Sequence, residues 1–147
     1  MADVLLINMW TTDIGRYGAS NYGLLKVIFE VNLKLFDQSS SKKLLFVLRD
    51  YDNRIKFEQI KAMIDKDLNQ IWSEIYKPEH LVNSKPEDFF SFEFVMMPHK
   101  IFEPDAFMEK AQEIRGRFST DAQDTYFLTS GETSQNVPID GMPVFVD

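Results

Sequence analysis

The chain has 147 residues, 44% hydrophobic and 27% charged, which is enough apolar material for one compact core but too little length for two of ordinary size. Its net charge of -7 disfavours a nucleic-acid backbone or an anionic membrane surface as the main partner. Because the sequence contains no cysteine, a disulfide framework, a thiolate metal site and a cysteine nucleophile are excluded.

The first elements in chain order are a strand, a polar loop and a helix. Residues 4–10 form an apolar run that predicts a buried strand and is far shorter than the roughly 18–20 apolar residues of a membrane span. Residues 11–22 are polar and carry glycines, so they predict a loop. From residue 23 to about 36 helical spacing predicts a helix whose apolar stripe is Leu24, Ile28, Val31 and Leu35.

A second strand and a long helix follow. Residues 44–48 predict a buried strand that ends at the charged pair Arg49 and Asp50. Pro78 marks the end of the helix behind it. The predicted apolar stripe of that helix is Phe57, Ile60, Ile64, Leu68, Ile71 and Ile75.

The last predicted elements repeat this order. Residues 92–97 predict a third strand, closed by the polar segment Pro98, His99 and Lys100. Pro104 suits the first turn of a helix, whose apolar face is predicted to be Phe107, Ala111, Ile114 and Phe118. Trp10, Trp72 and the phenylalanines are expected in the core.

Strands alternating with helices predict an α/β domain with a mostly parallel sheet that is covered on both faces. We assign residues 1–118 to this domain. Residues 119–147 predict a polar loop or a partly disordered tail.

In such sheets ligands bind beyond the carboxyl ends of the strands, and residues 12–22, 49–53 and 98–100 lie at those ends. A carboxylate there can accept hydrogen bonds from the N1 and N2 donors of guanine, which adenine lacks. Asp50 is therefore the candidate base reader. From spacing alone, a solvated turn at Arg49 and Asp50 remains the favoured alternative.

Phosphate chemistry would need a loop of the form GxxxxGK[ST], and the sequence has no Gly-Lys pair. Residues 129–134 look similar but lack the lysine, so they predict only a polar loop. The two histidines, His80 and His99, form no spaced ligand cluster, and no nucleophile elbow accompanies them. We predict no catalytic residue and no metal ligand in this chain.

Several segments nevertheless form an ordered set: residues 4–10, 13–15, 18–21, 23–32, 45–50, 67–72, 92–100 and 137–141. Together they resemble the Root-Hair-Defective/Sey-type dynamin-like GTPases, which are relatives of atlastin. The resemblance implies a three-layer domain of the P-loop NTPase type, of which this chain carries the part without the phosphate loop.

In that family an Arg-Asp pair replaces the usual Asn/Thr-Lys-x-Asp base motif. The resemblance therefore implies that Asp50 reads guanine and that Arg49 shapes the pocket. It also implies that Pro98, His99 and Lys100 form the last base-contacting segment.

The family hydrolyses GTP, pairs through its cytosolic GTPase domains and fuses endoplasmic-reticulum membranes. The resemblance implies this activity, a homodimer and a Mg²⁺ ion for a longer parent protein at the cytosolic face of that membrane, whose membrane-attaching segments are absent here. The chain itself is expected to be a soluble fragment, inactive alone, with weak or absent binding of GTP and GDP and a tendency to self-associate. The alternative is a non-enzymatic α/β interaction module.

Overall fold

A computed structural model describes residues 4–16, 21–35 and 42–119 of the chain. Strands and helices alternate in the order β1 (Val4–Trp10), α1 (Tyr22–Leu35), β2 (Lys42–Arg49), α2 (Phe57–Glu74), β3 (Phe90–Met96) and α3 (Pro104–Gly116). The predicted α/β class is confirmed. The predicted tail lies outside the described residues, apart from Ser119.

The three strands form one parallel sheet in the order β1-β2-β3. Trp10 pairs with Arg49, and Leu48 pairs with Met96, so all three strands end at the same edge of the sheet. The loops that follow the strands therefore meet there, as the sequence predicted.

Helices α1 and α2 pack on one face of the sheet and enclose the core. From β2, Leu44, Phe46 and Leu48 point into it, and each is fully buried. The predicted stripe of α2 is confirmed, since the buried residues of that helix include Ile60, Ile64, Leu68 and Ile71.

The predicted core face of α1 is only partly right. Ile28 is half-buried against the core, and the side chain of Leu35 lies outside the described part of the chain. Leu24 is 49% exposed and Val31 36%, whereas the buried positions are Leu25, Phe29 and Asn32. Nearly every side chain in the first half of this helix is apolar, so periodicity could not choose the face. Phe29 is fully buried, because its ring packs against Trp72 and Phe90 with centroids 5.3 and 5.0 Å apart.

Among the described residues, the opposite face of the sheet is less fully covered than predicted. Leu6 is 50% exposed and Trp10 44%, so β1 is buried on one side only, and Trp10 is not a core residue. Within the described residues β1 is an edge strand, and α1 and α2 cover only the face that holds Ile7.

Helix α3 is joined to this second face by an ion-pair network. Glu93 of β3 lies 2.8 Å from Lys43 Nζ and accepts a hydrogen bond of 2.6 Å from Arg117, just beyond α3. Pro104 occupies the first turn of α3, as predicted. The described residues contain no helix that is long and apolar enough to cross a membrane.

Candidate functional site

The candidate site lies at the carboxyl edge of the sheet, where backbone hydrogen bonds join the segments that follow β2 and β3. Met97 N–H donates to the carbonyl of Leu48 at 2.8 Å, and Tyr51 N–H donates to the carbonyl of Met97 at 3.1 Å. These bonds extend the β2-β3 pairing past the strand ends, and so they place Asp50 beside the segment that begins at Pro98.

Asp50 sits at a sharp turn of the backbone. Its φ is 55, in the left-handed region that few residues other than glycine, asparagine and aspartate adopt readily. Asn53 has a similar φ of 62, so the chain turns away from the sheet between these two residues. The Asp50 side chain is 26% exposed, which leaves its carboxylate open to a ligand from the solvent side.

The imidazole of His99 lies beside the carboxylate of Asp50. Its Nε2 lies 3.5 Å from Oδ2 of Asp50. Its Nδ1 faces the other way and accepts hydrogen bonds from the backbone N–H groups of Ile101, at 3.2 Å, and Phe102, at 3.4 Å. The structure thus brings together Asp50 and His99, which belong to two predicted site segments far apart in the chain.

The other three predicted residues take different positions. The guanidinium of Arg49 lies over the Trp10 ring, 4.1 Å from its centroid, and so it faces β1. Lys100 is exposed, with its ammonium 6.0 Å from the Phe107 ring centroid, on the side of α3. Pro98 is half-buried between β3 and His99.

Sequence reasoning missed two aromatic residues at this edge. Trp10 supports Arg49, and Phe102, which is 80% exposed, stacks on His99 with ring centroids 4.2 Å apart. A signal was present for Trp10, because the last residues of neighbouring parallel strands meet at one edge of the sheet, and Trp10 ends β1 as Arg49 ends β2. None was present for Phe102, since its contact depends on the path of a loop.

The negative charge of Asp52, two residues beyond Asp50, is partly neutralised by Arg54. Asp52 pairs with Arg54, whose backbone N–H donates to the carboxylate at 3.1 Å. That hydrogen bond, helped by the Arg54 side chain, lowers the pKa of Asp52 below its ordinary value. Asp52 is thus engaged by its neighbour, whereas Asp50 faces the His99 side of the loop.

The first predicted loop also reaches this edge. Thr11 Oγ1 donates to the carbonyl of Arg49 at 2.6 Å, and Asn21 Nδ2 donates to the carbonyl of Asn8 at 3.2 Å. Residues 17–20 lie outside the described part, so the loop contributes only its two ends to the described site.

An open parallel sheet flanked by helices, with a carboxylate at the carboxyl ends of its strands, is the arrangement of α/β nucleotide-binding domains. Over residues 1–147 the chain matches the family model described as "Root hair defective 3 GTP-binding protein (RHD3) GTPase domain". The chain belongs to that GTPase-domain family, which confirms the resemblance found in the sequence.

Curated relatives agree. The chain is 40% identical to a "Protein SEY1 homolog" of Dictyostelium discoideum, covering 99% of this chain and 16% of that protein. It is also 40% identical to "Protein SEY1 homolog 1" of Entamoeba histolytica and 39% identical to "Protein SEY1" of Chaetomium globosum. In each case 99% of this chain is covered, but only 15% and 18% of those two proteins. The chain thus spans less than a fifth of the length of these relatives.

Proposed function

We propose that this chain carries the guanine-reading part of a GTP-binding, GTP-hydrolysing protein, with Asp50 as the residue that reads the base. The observation that carries the proposal is the position of Asp50 at the carboxyl edge of the sheet, partly exposed, in a member of a GTPase-domain family. Its two carboxylate oxygens match the N1 and N2 donors of guanine.

Arg49 and the segment from Pro98 to Lys100 have supporting roles in this proposal. Arg49 is held over Trp10, so its aliphatic stem and guanidinium form one wall beside the base. The backbone from Pro98 to Lys100 forms the other side, across from Asp50. Lys100 lies toward α3, so its side chain contributes through charge rather than through a contact to Asp50.

Hydrolysis is not proposed for this chain alone. Because its sequence has no Gly-Lys pair and no GxxxxGK[ST] motif, the backbone cradle for the phosphates and the hydroxyl for Mg²⁺ would come from another part of the protein. We therefore expect weak binding of GTP or GDP and negligible turnover by the 147-residue chain. Sustained GTP hydrolysis by the pure chain would refute this expectation.

The deciding experiment is calorimetric titration of the chain with GDP and ADP. Binding of GDP with at least about 100-fold preference over ADP is expected, because adenine leaves the carboxylate badly paired. Asp50→Ala should abolish this preference. Asp52→Ala is the matched control, since it removes a carboxylate two residues away that is already engaged by Arg54.

A second substitution tests the hydrogen-bond pattern itself. Asp50→Asn replaces one accepting oxygen by a donating N–H group, which suits the C2 carbonyl of xanthine rather than the amine of guanine. The variant should therefore prefer xanthosine diphosphate over GDP. If Asp50→Ala and Asp50→Asn both bind GDP as the natural chain does, Asp50 does not read the base.

For the longer protein we propose homotypic fusion of endoplasmic-reticulum membranes, driven by GTP hydrolysis and by pairing of GTPase domains at the cytosolic face. The support is family membership together with the length of the relatives, of which this chain covers 16% in one case. The test is lipid mixing between vesicles that carry the longer protein. Mixing should require GTP and should be lost in Asp50→Ala, and mixing without GTP would contradict the proposal.

We also propose that the isolated chain self-associates through β1. Leu6 is 50% exposed on the open face of this edge strand, and an unpaired strand edge offers backbone donors and acceptors to another copy. Sedimentation should show dimers or larger species at high concentration, and Leu6→Lys should shift them to monomer. A clean monomer at all concentrations would refute the idea.

A further inference from the structure

Backbone hydrogen bonds to the ring of His99 select one tautomer of its imidazole. Nδ1 accepts two backbone hydrogen bonds, from Ile101 and Phe102, so it carries no proton. A neutral imidazole has a single ring proton, which must then sit on Nε2. That nitrogen faces Oδ2 of Asp50 at 3.5 Å. His99 therefore presents a donor to the carboxylate.

The ring is also fixed in space. It stacks on Phe102 with 4.2 Å between centroids and 28° between planes. The His99 carbonyl accepts a hydrogen bond of 2.8 Å from Glu103 N–H, which leads directly into α3. The His99 side chain is only 31% exposed. The donor on Nε2 thus belongs to a rigid turn, whereas an aspartate side chain has three staggered positions about its first torsion and a broad second torsion.

A carboxylate that reads guanine must present its oxygens in the plane of the base. Each oxygen has two acceptor positions, so Oδ2 can take the Nε2–H group of His99 and still accept from the base. At 3.5 Å the Nε2–H group is farther from Oδ2 than in an ordinary hydrogen bond, so it acts on the carboxylate by electrostatic attraction and favours one orientation before the nucleotide arrives. Less ordering is then needed on binding.

We propose that His99 is a positioning residue: its Nε2–H group orients the carboxylate of Asp50 for guanine, rather than contacting the base itself. This inference rests on the proposed function of Asp50 and changes the role expected for His99 from sequence. Because the turn that fixes His99 runs straight into α3, the orientation of Asp50 depends on a residue nearly fifty positions away in the chain.

Two substitutions test the roles of the two ring nitrogens of His99 separately. In His99→Gln the side-chain amide nitrogen falls near the place of Nε2, so a donor toward Asp50 is kept and the Nδ1 acceptor is lost. In His99→Asn the amide oxygen falls near the place of Nδ1, so the turn keeps its acceptor and the donor is lost. A purely structural role of His99 predicts that His99→Asn is the milder change.

The positioning role predicts the reverse order. By titration, His99→Gln should bind GDP within about twofold of the natural chain. His99→Asn should bind it about fivefold more weakly, as expected for loss of a donor that attracts the carboxylate from 3.5 Å. Binding of ADP should be equally weak in both variants. Equal GDP affinity for the two variants, or weaker binding by His99→Gln, would overturn the proposal.

Nuclear magnetic resonance of the nucleotide-free chain gives an answer that does not depend on GDP binding. The ¹⁵N shifts of His99 should identify Nδ1 as unprotonated and Nε2 as protonated. Side-chain couplings of Asp50 should report one rotamer in the natural chain and in His99→Gln, and averaging in His99→Asn. A proton on Nδ1, or an Asp50 rotamer unaffected by His99→Asn, would refute the inference.

The titration and the nuclear magnetic resonance measurement together separate this inference from the proposed function. If the natural chain binds no GDP, the guanine proposal fails for this chain, and the rotamer of Asp50 still decides whether His99 orients it. If GDP binds and Asp50→Ala abolishes binding while both His99 variants behave alike, the base reader is right and the positioning role is wrong.

Discussion

Replacing Glu93 by glutamine should loosen the attachment of α3 to the sheet. Glu93 is the shared anion of two cations, with Lys43 Nζ at 2.8 Å from one carboxylate oxygen and Arg117 at 2.6 Å from the other. Arg117 follows α3, the helix that continues from the His99 turn. Glu93→Gln keeps the shape of the side chain and one acceptor but removes the negative charge.

The size of the effect follows from partial burial. The Glu93 side chain is 31% exposed, so its burial is intermediate between that of a surface ion pair and that of a buried one. A surface ion pair contributes up to about 1 kcal/mol, whereas disrupting a buried pair costs about 3–5 kcal/mol. We expect a loss of about 1–2 kcal/mol in the free energy of unfolding near neutral pH. For a chain of this length that lowers the Tm by roughly 3–8 °C.

The pH dependence gives a sharper signature. Burial raises the pKa of Glu93, but the hydrogen bonds and charges of Lys43 and Arg117 outweigh it and bring the pKa below its ordinary value of 4.5. Because the folded-state pKa is the lower one, the stability contributed by Glu93 is present above the ordinary pKa. It is lost as the pH falls through the folded-state pKa.

Urea unfolding of the natural chain and Glu93→Gln, near neutral pH and in acid, measures both effects. The difference between the two proteins should be largest near neutral pH and shrink in acid, where Glu93 itself becomes uncharged. Glu113→Gln is the matched control, since that carboxylate is 59% exposed and pairs only across one helical turn with Lys110. A difference that persists in acid, or an equal loss in the control, would refute the reasoning.

Four further substitutions test the packing by urea unfolding. Leu25→Ala should lower the free energy of unfolding by about 2–5 kcal/mol and Leu24→Ala by less than about 1 kcal/mol, because the first side chain is 4% exposed and the second 49%. Equal losses would support the helix face predicted from sequence. Gly15→Ala should cost about 1–2 kcal/mol, because φ is +76 and the added Cβ would lie 2.3 Å from the end of the Met63 side chain. Unchanged stability would mean that Gly15 does not adopt this backbone conformation. Trp72→Phe should cost about 1–2 kcal/mol, because its indole N–H donates to the partly buried carbonyl of Ser84 at 2.8 Å. A neutral outcome would show that this hydrogen bond contributes nothing.

The order of elements and the parallel α/β class could be read from the sequence, and both are confirmed. The sequence also predicted the candidate site at the carboxyl edge of the sheet. Buried parallel strands are continuous apolar runs, and the stripe of α2 from Ile60 to Ile71 has a clear helical period, so both could be recognised locally. The position of Asp50 directly after such a run was enough to propose a base reader. The family resemblance added the role of that carboxylate, and the match over residues 1–147 confirmed the family.

Tertiary structure decided what local periodicity leaves open. Helix α1 is apolar on several sides, so only the fit of Phe29 against Trp72 and Phe90 selects the face that is buried. β1 is open on one face because α1 and α2 both lie on the other, which the alternation of elements does not reveal. Likewise the approach of His99 to Asp50 depends on backbone hydrogen bonds between segments far apart in the chain, and no spacing in the sequence encodes that distance.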